Sequence, residues 1–407
     1  MADITASDLD QVFADVAAAG SYGCFEYQGI ALGFWSDDDA LLDWFGAFFG
    51  GYFTVTTRDR TDAVVYSSRD PVLFQRLREC AIASGRPRSD QETEYAVDAQ
   101  HRIIHSREVD ESKGRVEENC FVLAEQGRKV LVSSPGALAD RQKTVKRSLR
   151  NMMKLLFLER GWLPFHAAAC TWNGVGICIL GGKFAGKTST LLNLLSRPGA
   201  RFVSNDNLFL RDAGTHLEGC GFPNKAGVRI GALVAYPRLV DWIEKTTDSF
   251  YPQMDAATFR EVVATTPAGE LGSRSEKIVL LSTELADLLD VPIQQVTPIE
   301  LFLVVRFDPS LERSRLVPVT DPQQIRDHLA ATFRSLGKEK QDFLQPFFDF
   351  DDEALQAAVD RLLAEFAPRV TVQELHQNAN TNEHSAELVG ELILSTARRH
   401  AADRRTG

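Results

Sequence analysis

The sequence HAAACTWNGVGICILGGKFAGKTSTLLNLLSRPGARFVSNDNLFL (residues 166–210) carries the clearest secondary-structure pattern in the chain. Residues 166–172 alternate as a strand does, Asn173-Gly174 is a preferred two-residue hairpin turn, and residues 175–180 form an apolar, β-rich run. A glycine-rich loop follows, and the leucines of residues 188–196 predict the apolar face of a helix. The order strand, turn, strand, loop, helix indicates an α/β fold.

The loop itself, GGKFAGKTS (residues 181–189), matches the pattern GxxxxGK[ST] of phosphate-binding (Walker A) loops. Between a strand and a helix, such a loop directs backbone N–H groups at phosphate oxygens, and the helix N-terminus adds partial positive charge. We predict that Lys187 bridges the β- and γ-phosphates of ATP and that the Thr188 hydroxyl binds Mg²⁺. The predicted nucleotide-binding residues are Gly181, Gly182, Lys183, Phe184, Ala185, Gly186, Lys187, Thr188 and Ser189. The alternative is a glycine-rich turn before a core helix, which would not require Lys and Thr in sequence.

An acidic residue follows soon after the loop. Asp206 lies 19 residues after Lys187, at the end of the apolar strand RFVS (residues 201–204). We expect this strand to run beside the strand that precedes the loop, so that Asp206 points at the γ-phosphate region and acts as base or as Mg²⁺ ligand. The alternative is a polar turn that ends the strand, because Asn and Asp favour turns.

This compact arrangement resembles the HPr kinase/phosphorylase family and, more distantly, the phosphoenolpyruvate carboxykinases. In that family a hairpin led by His precedes the phosphate loop, and an acidic pair ends the next strand. Here His166, the loop GGKFAGKT and VSNDN (residues 203–207) occupy these places. The resemblance covers residues 161 to about 210, extends to about residue 310 and does not involve residues 1–140. It implies a P-loop kinase domain of HPr kinase type, with ATP and Mg²⁺ bound, Asp206 as the catalytic carboxylate and His166 positioning or protonating the transferring phosphoryl group.

Two positions depart from the family. The family's first aspartate, usually given the role of general base, is Asn205 here, and an amide cannot take a proton. Lys183 adds a second cation to the loop at a position where the family generally has a small or polar residue. The family's later Gly-Arg-Asn segment has no counterpart, so HPr as acceptor is not supported. The pattern is closer to diverged HPr-kinase-related proteins, some of which modify peptides or small molecules. For His166 the alternative is a hydrogen-bonded core residue.

Cations further along the chain are additional candidates. An apolar strand ends at Arg306, whose guanidinium would stabilise the charge that develops on the phosphoryl group; the alternative is a surface ion pair with Asp308 or Glu312. Arg274 and Lys277 precede another apolar strand, where they would meet nucleotide or acceptor charge or form a solvated basic patch.

The length of 407 residues is enough for more than one domain. We predict an N-terminal α+β domain at residues 1–140, which would recognise the acceptor or a partner, and an HPr kinase-like P-loop domain with C-terminal helices at residues 141–407. The first begins with a helix capped by Ser7 and ended by Gly20. A connecting helix with apolar residues at helical spacing from Leu138 to Leu158 leads into the second.

Composition excludes some classes of function. Proteins that bind nucleic acids or anionic membranes usually carry an excess of Lys and Arg. The net charge of -11 therefore argues against such partners. The six cysteines have no CxxC spacing, so we interpret them as reduced core residues. The acidic N-terminus is not a signal peptide and no apolar run reaches the length of a spanning helix, so we expect a cytoplasmic protein.

The resulting hypothesis is an ATP-dependent kinase that transfers the γ-phosphate to a hydroxyl of a protein, peptide or small-molecule acceptor. Two alternatives stay open. One is a nucleotide-binding regulatory module that has lost catalytic activity through the replacement of aspartate by Asn205, and the other is a plain ATPase. The terminal amphipathic helix, residues 381–400, packs on its own domain or on a neighbouring subunit, which would make the protein a homo-oligomer.

Overall fold

The computed structural model of the chain describes residues 4–56, 60–110, 115–245, 254–267, 270–271, 274–333, 344, 352–378 and 382–406. These residues form a mixed α/β fold with several sheets, as predicted. The chain divides into two units, one of Met1–Arg160 with Leu336–Asp352 and the other of Gly161–Ser335 with Glu353–Gly407. The division lies after Arg160, whereas we had placed it near residue 140, because the connecting helix Leu138–Glu159 packs against strands of the first unit.

In its described residues, the first unit contains nine strands and four helices. The strands are β1 (Ser21–Tyr27), β2 (Ile30–Ser36), β3 (Thr54–Thr56), β4 (Ala63–Ser68), β5 (Arg86–Ser89), β6 (Glu92–Ala96), β7 (Arg102–Asp110), β8 (Arg115–Ala124) and β9 (Lys129–Ser133). The helices are α1 (Ala6–Ala19), α2 (Asp39–Phe49), α3 (Pro71–Ser84) and α4 (Leu138–Glu159).

The nine described strands form one mixed sheet with the order β3-β1-β2-β4-β9-β8-β7-β6-β5, in which β2, β4 and β9 are parallel neighbours. Adjacent residues of β2 show that both faces are covered. Phe34 packs on Phe45 of α2, while Trp35, which points the other way, joins the apolar cluster formed by α1 and α3. The first unit therefore has its own core on each side of the sheet.

The first helix starts two residues earlier than predicted. Thr5, not Ser7, is the N-cap: its hydroxyl accepts from the Asp8 backbone N–H, and the Asp8 carboxylate accepts from the Thr5 backbone N–H. This reciprocal capping satisfies two backbone donors at once. The predicted stop at Gly20 is confirmed.

In its described residues, the second unit contains twelve strands and eight helices. The strands are β10 (Leu163–Phe165), β11 (Ala168–Trp172), β12 (Val175–Leu180), β13 (Ala200–Ser204), β14 (Leu208–Asp212), β15 (Leu217–Gly221), β16 (Lys225–Arg229), β17 (Lys277–Leu281), β18 (Val296–Pro298), β19 (Leu301–Phe307), β20 (Arg315–Pro318) and β21 (Thr371–Gln377). The helices are α5 (Lys187–Leu195), α6 (Ile230–Leu233), α7 (Pro237–Lys245), α8 (Ala256–Thr265), α9 (Ser282–Leu289), α10 (Pro322–Ala330), α11 (Asp352–Phe366) and α12 (Asn382–Thr406).

A six-stranded sheet with the order β13-β11-β12-β19-β21-β20 positions the candidate site. Strands β12, β19 and β21 are parallel neighbours, so their C-terminal ends meet at one edge. Our expectation that the strand before Asp206 runs beside β12 is wrong, because the hairpin partner β11 occupies that position and β13 pairs with β11. Both pairings are antiparallel, so β13 runs in the direction of β12 and still ends at the same edge.

Helix α12 packs against α5, β12, β20 and β21 of its own unit, so the described part of the terminal helix has its main partner within the chain. Two smaller sheets complete the unit, one with the order β10-β14-β15-β18 and one formed by β16 and β17. None of the six cysteines, all within the described residues, forms a disulfide, and five of them are buried, as predicted. Burial raises the pKa of the Cys170 thiol to about 12, which keeps it neutral. Within the described ranges, no helix combines the length and apolar character required to cross a membrane.

Candidate phosphate-binding site

The predicted hairpin, loop and helix are all present. Asn173 and Gly174 both have positive φ, +50° and +82°, as the tight turn between β11 and β12 requires. Strand β12 leads into Gly181, and α5 begins at Lys187 after Gly186 with φ of +99°. A side chain at Gly186 would be strained at that φ and would place its Cβ 2.8 Å from Gln377 Nε2. The turn into α5 therefore needs glycine at this position.

Lys187 lies buried at the start of α5 and points back along the loop. Its Nζ donates to the Gly181 carbonyl at 3.5 Å and lies 3.7 Å from Asp206 Oδ1. The first-turn N–H groups of α5 have no partners within the helix, and the helix dipole adds positive charge there. A buried cation, the first-turn amides of α5 and a carboxylate thus meet at one end of the loop.

His166 lies on the other side of the same carboxylate. Its Nδ1 is 3.3 Å from the Asp206 carbonyl oxygen and 3.9 Å from Asp206 Oδ1. Because a carbonyl only accepts, Nδ1 carries the proton in this contact. The backbone N–H of His166 donates to the Thr332 carbonyl at 2.7 Å, which holds the residue ahead of β11. The structure therefore brings Lys187, Asp206 and His166 together.

Asn205 is buried beside Asp206. Its Nδ2 donates to Asp206 Oδ2 at 3.3 Å, and its Oδ1 accepts no hydrogen bond within the described part of the chain. Asn205 thus acts on the carboxylate as a donor, a contact that an aspartate at this position could not make when ionised. Ser204 and Asn207 close the turn, because the Ser204 hydroxyl donates to the Asn207 carbonyl at 2.6 Å. The backbone therefore does form the polar turn that we gave as the alternative. This turn places the Asp206 carboxylate beside Lys187.

The middle of the loop is open to solvent. Gly182, Lys183 and Phe184 are exposed, and Phe184 has a positive φ of +69°. The Ala185 N–H donates to the Gly182 carbonyl at 3.2 Å, which closes a tight turn over these residues. A side chain at Gly182 would meet nothing within 4 Å, so this part of the loop leaves room for a ligand.

Residues far away in the sequence hold the first turns of α5. Gln377, at the end of β21, donates from Nε2 to Thr190 Oγ1 at 2.7 Å, and the Thr190 hydroxyl donates to the Gly186 carbonyl at 3.1 Å. The Tyr236 hydroxyl donates to the Ser189 carbonyl at 3.3 Å, and burial raises the pKa of Tyr236. These bonds fix the helix start against the sheet.

Sequence reasoning missed Gln377 and Tyr236. For Gln377 a signal existed, because a polar residue ended an apolar strand, and ligand sites collect at the C-terminal edge of parallel strands. No local pattern marks Tyr236, which reaches α5 only through the packing of the chain between β16 and β17.

Arg306 is not directed at the loop. The side chain of the preceding residue, Val305, faces the loop, since its Cγ1 would lie 3.6 Å from a Cβ at Gly186. Arg306 therefore points to the opposite face of the sheet, where its Nη2 donates to Glu374 Oε1 at 3.0 Å. The expected ion pair exists, but its partner is Glu374 rather than Asp308 or Glu312. This placement gives no support to a role for Arg306 in phosphoryl transfer.

The donor set fits Mg²⁺ bound together with a polyphosphate. Thr188 follows Lys187 in the first turn of α5, and both Thr188 and Asp206 are partly exposed. Mg²⁺ in such sites takes one or two protein oxygens and completes its shell with phosphate oxygens and water. Among the described residues, no group of three or more His, Cys, Asp or Glu side chains forms a metal site.

Comparisons with known proteins give distant likenesses to solved structures. No family model matches the sequence, and no curated protein matches it. Among solved structures, the chain is similar to the Hpr(Ser) kinase/phosphatase from Coxiella burnetii, with 10% sequence identity, a TM-score of 0.26 and coverage of 60% of this chain and 95% of that chain. A TM-score and an identity this low identify neither the fold nor the function of this chain. We therefore base the functional interpretation on the residues of the loop and its surroundings.

Proposed function

We propose that the second unit binds ATP with Mg²⁺ and transfers its γ-phosphate to a hydroxyl. The observation that carries this proposal is the 3.7 Å separation of Lys187 Nζ and Asp206 Oδ1 at the start of α5, because it places a buried cation and a carboxylate at the end of a glycine-rich loop. The pattern GxxxxGK[ST] and the resemblance of residues 161–210 to HPr kinases support the same conclusion.

Each residue has a defined part. The loop N–H groups and Lys187 bind the β- and γ-phosphates, while Thr188 and Asp206 offer the oxygens that would hold Mg²⁺. When bound, Mg²⁺ neutralises charge on the phosphate oxygens. Asp206 accepts the proton of the acceptor hydroxyl, and in a loose transition state this proton transfer comes late. Asn205 orients the Asp206 carboxylate by its hydrogen bond. His166, with its proton on Nδ1, helps to position Asp206.

A second candidate function follows from Asn205. An amide stands where the related kinases carry a second carboxylate, so the chain would bind ATP and change conformation without turnover. A plain ATPase is the third reading, in which water replaces the acceptor.

The deciding experiment follows labelled γ-phosphate in a cell extract with and without the full-length protein. Label on a protein, a peptide or a small molecule supports the kinase and shows which kind of acceptor is used. ADP formation without labelled product supports the ATPase. Tight ATP binding without ADP formation above background would contradict both the kinase and the ATPase function. The regulatory module would then be the remaining function.

The first unit is our candidate for recognition of the acceptor, because it has its own sheet and core, and the loop motif and Asp206 belong to the second unit. A protein that begins at Gly161, after α4, should still bind ATP but transfer nothing. Full transfer activity from this shortened protein would contradict the assignment.

A further inference from the structure

Two cations outside the motif's invariant lysine lie over Phe184 in the loop, and a third lies beside one of them. The guanidinium carbon of Arg229, at the end of β16, lies 3.8 Å from the centre of the Phe184 ring. Lys183 Nζ lies 5.2 Å from the same ring. Lys277 is the direct partner of Arg229 across the antiparallel pair β16–β17. Lys183 and Arg229 thus place positive charge at the exposed part of the loop, and Lys277 lies beside Arg229 on the neighbouring strand.

Within the described part of the chain, none of these three cations forms an ion pair, although Asp and Glu outnumber Lys and Arg by 56 to 45. Arg274, near Lys277 in sequence, shows the contrast: its Nε donates to Glu276 Oε2 at 3.1 Å. Like charges directly opposite each other on paired strands are unfavourable, and here Arg229 and Lys277 stand opposite without a carboxylate between them. The arrangement calls for an anion from outside the chain.

Arg229 also has an unused donor. Its Nη1 is buried and makes no hydrogen bond with the described residues. A buried donor on a charged group is costly to leave unpaired. Stacking on Phe184 fixes the plane of the guanidinium, so its donors are already oriented for an oxyanion. Phe184, half exposed at 50%, sits in the same open turn that leaves room for a ligand.

We propose that Arg229, assisted by Lys277, is a second phosphate-binding residue that contacts the polyphosphate chain held by the glycine-rich loop. The assignment rests on the proposed function, since it requires the loop to bind a nucleotide. Arginine suits this position because its planar fork can make two hydrogen bonds to one phosphate, whereas lysine supplies only a point charge.

The test is titration calorimetry on the full-length protein with ATP, AMP and inorganic tripolyphosphate. Arg229→Gln should weaken binding of ATP and tripolyphosphate by about 10- to 100-fold, the usual effect of losing a charge-assisted hydrogen bond, and should change AMP binding little. Arg229→Lys should recover only part of the loss. Arg211→Gln is the matched control, because Arg211 also stacks on an aromatic ring, that of Trp162, but is already paired with Glu218. It should leave all three affinities unchanged.

This assignment would be overturned if Arg229→Gln bound ATP and tripolyphosphate as tightly as the wild type does while Lys187→Met bound them more weakly. The proposed function would then still stand. Absence of ATP binding in the wild type would overturn the proposed function and this assignment together. Thermal melts check folding, and if Arg229→Gln does not fold, the comparison is made with Arg229→Lys.

Discussion

Replacement of Lys187 by Met should separate the stability of the free protein from its affinity for ATP. The Lys187 side chain is only 8% exposed, and its contacts to Gly181 and Asp206, at 3.5 and 3.7 Å, are longer than the ~2.8 Å of a strong charge-assisted bond. Removal of the ammonium recovers the cost of burying it, and Asp206, whose side chain is 31% exposed, keeps water and the Asn205 amide as partners. Met has a similar length and no charge. We expect the free energy of unfolding without ligand to stay within about 1 kcal/mol of wild type, or to rise.

The response to ATP should change much more. At a ligand concentration of about 100 Kd, ATP stabilises the wild type by ~2.7 kcal/mol, which raises the melting temperature by roughly 5–11 °C for a domain of about 150–250 residues. Loss of a charge-assisted bond to phosphate costs ~1.5–3 kcal/mol and raises Kd by about 10- to 150-fold. At the same ATP concentration, the stabilisation then falls to ~0.3–1.4 kcal/mol, about half of the wild-type value or less.

Thermal melts with Mg²⁺ alone and with Mg²⁺ and a series of ATP concentrations measure both quantities. Lys245→Met, at the exposed C-terminal end of α7, is the matched control for the loss of one lysine charge. It should keep the full ATP response. An equal ATP-induced rise in Lys187→Met and wild type would refute the role of Lys187 in phosphate binding.

Three further predictions concern the carboxylate, the support of the loop and the far face of the sheet. Asp206→Asn should lower ADP formation by at least ~10²-fold while nucleotide binding persists, and Asn205→Asp should be tolerated; turnover assays on both variants check this, and an unchanged rate in Asp206→Asn would contradict it. Gln377→Glu should weaken ATP binding because it places a buried carboxylate beside Gly186, whereas Gln377→Leu, which only loses the bond to Thr190, should weaken it less; calorimetry that ranks the two in reverse would argue against this contact. Burial alone would raise the pKa of Glu374, but hydrogen bonds from Arg306 and His376 outweigh it and hold the pKa below its ordinary value of 4.5. The ionised carboxylate therefore contributes its full stability above pH 4.5 and loses that contribution as the pH falls through the lowered pKa. The melting temperature of Glu374→Gln should lie below wild type at pH 7, and a difference that fails to shrink in melts at acidic pH would disprove the pairing.

The sequence by itself determined the path of the chain from β11 to β13. Its signals are local: Asn173-Gly174 tolerates the positive φ of a tight hairpin, the apolar run of β12 ends at Gly181, and Gly186 supplies the backbone conformation from which α5 starts. Each depends on the conformational preference of one or two residues, so the hairpin, the loop and the helix could be predicted with bounds close to those observed.

Only the tertiary structure decided which side chains surround the loop. Strand β13 pairs with β11 rather than β12, Gln377 reaches Thr190 across 187 positions of sequence, and Arg229 lies on Phe184 from a separate two-stranded sheet. Strand order and the face on which a residue emerges depend on how the whole sheet packs, because a shift of one residue moves a side chain to the opposite face. For that reason Arg306, adjacent to the loop in our prediction, pairs with Glu374 on the far side of the sheet.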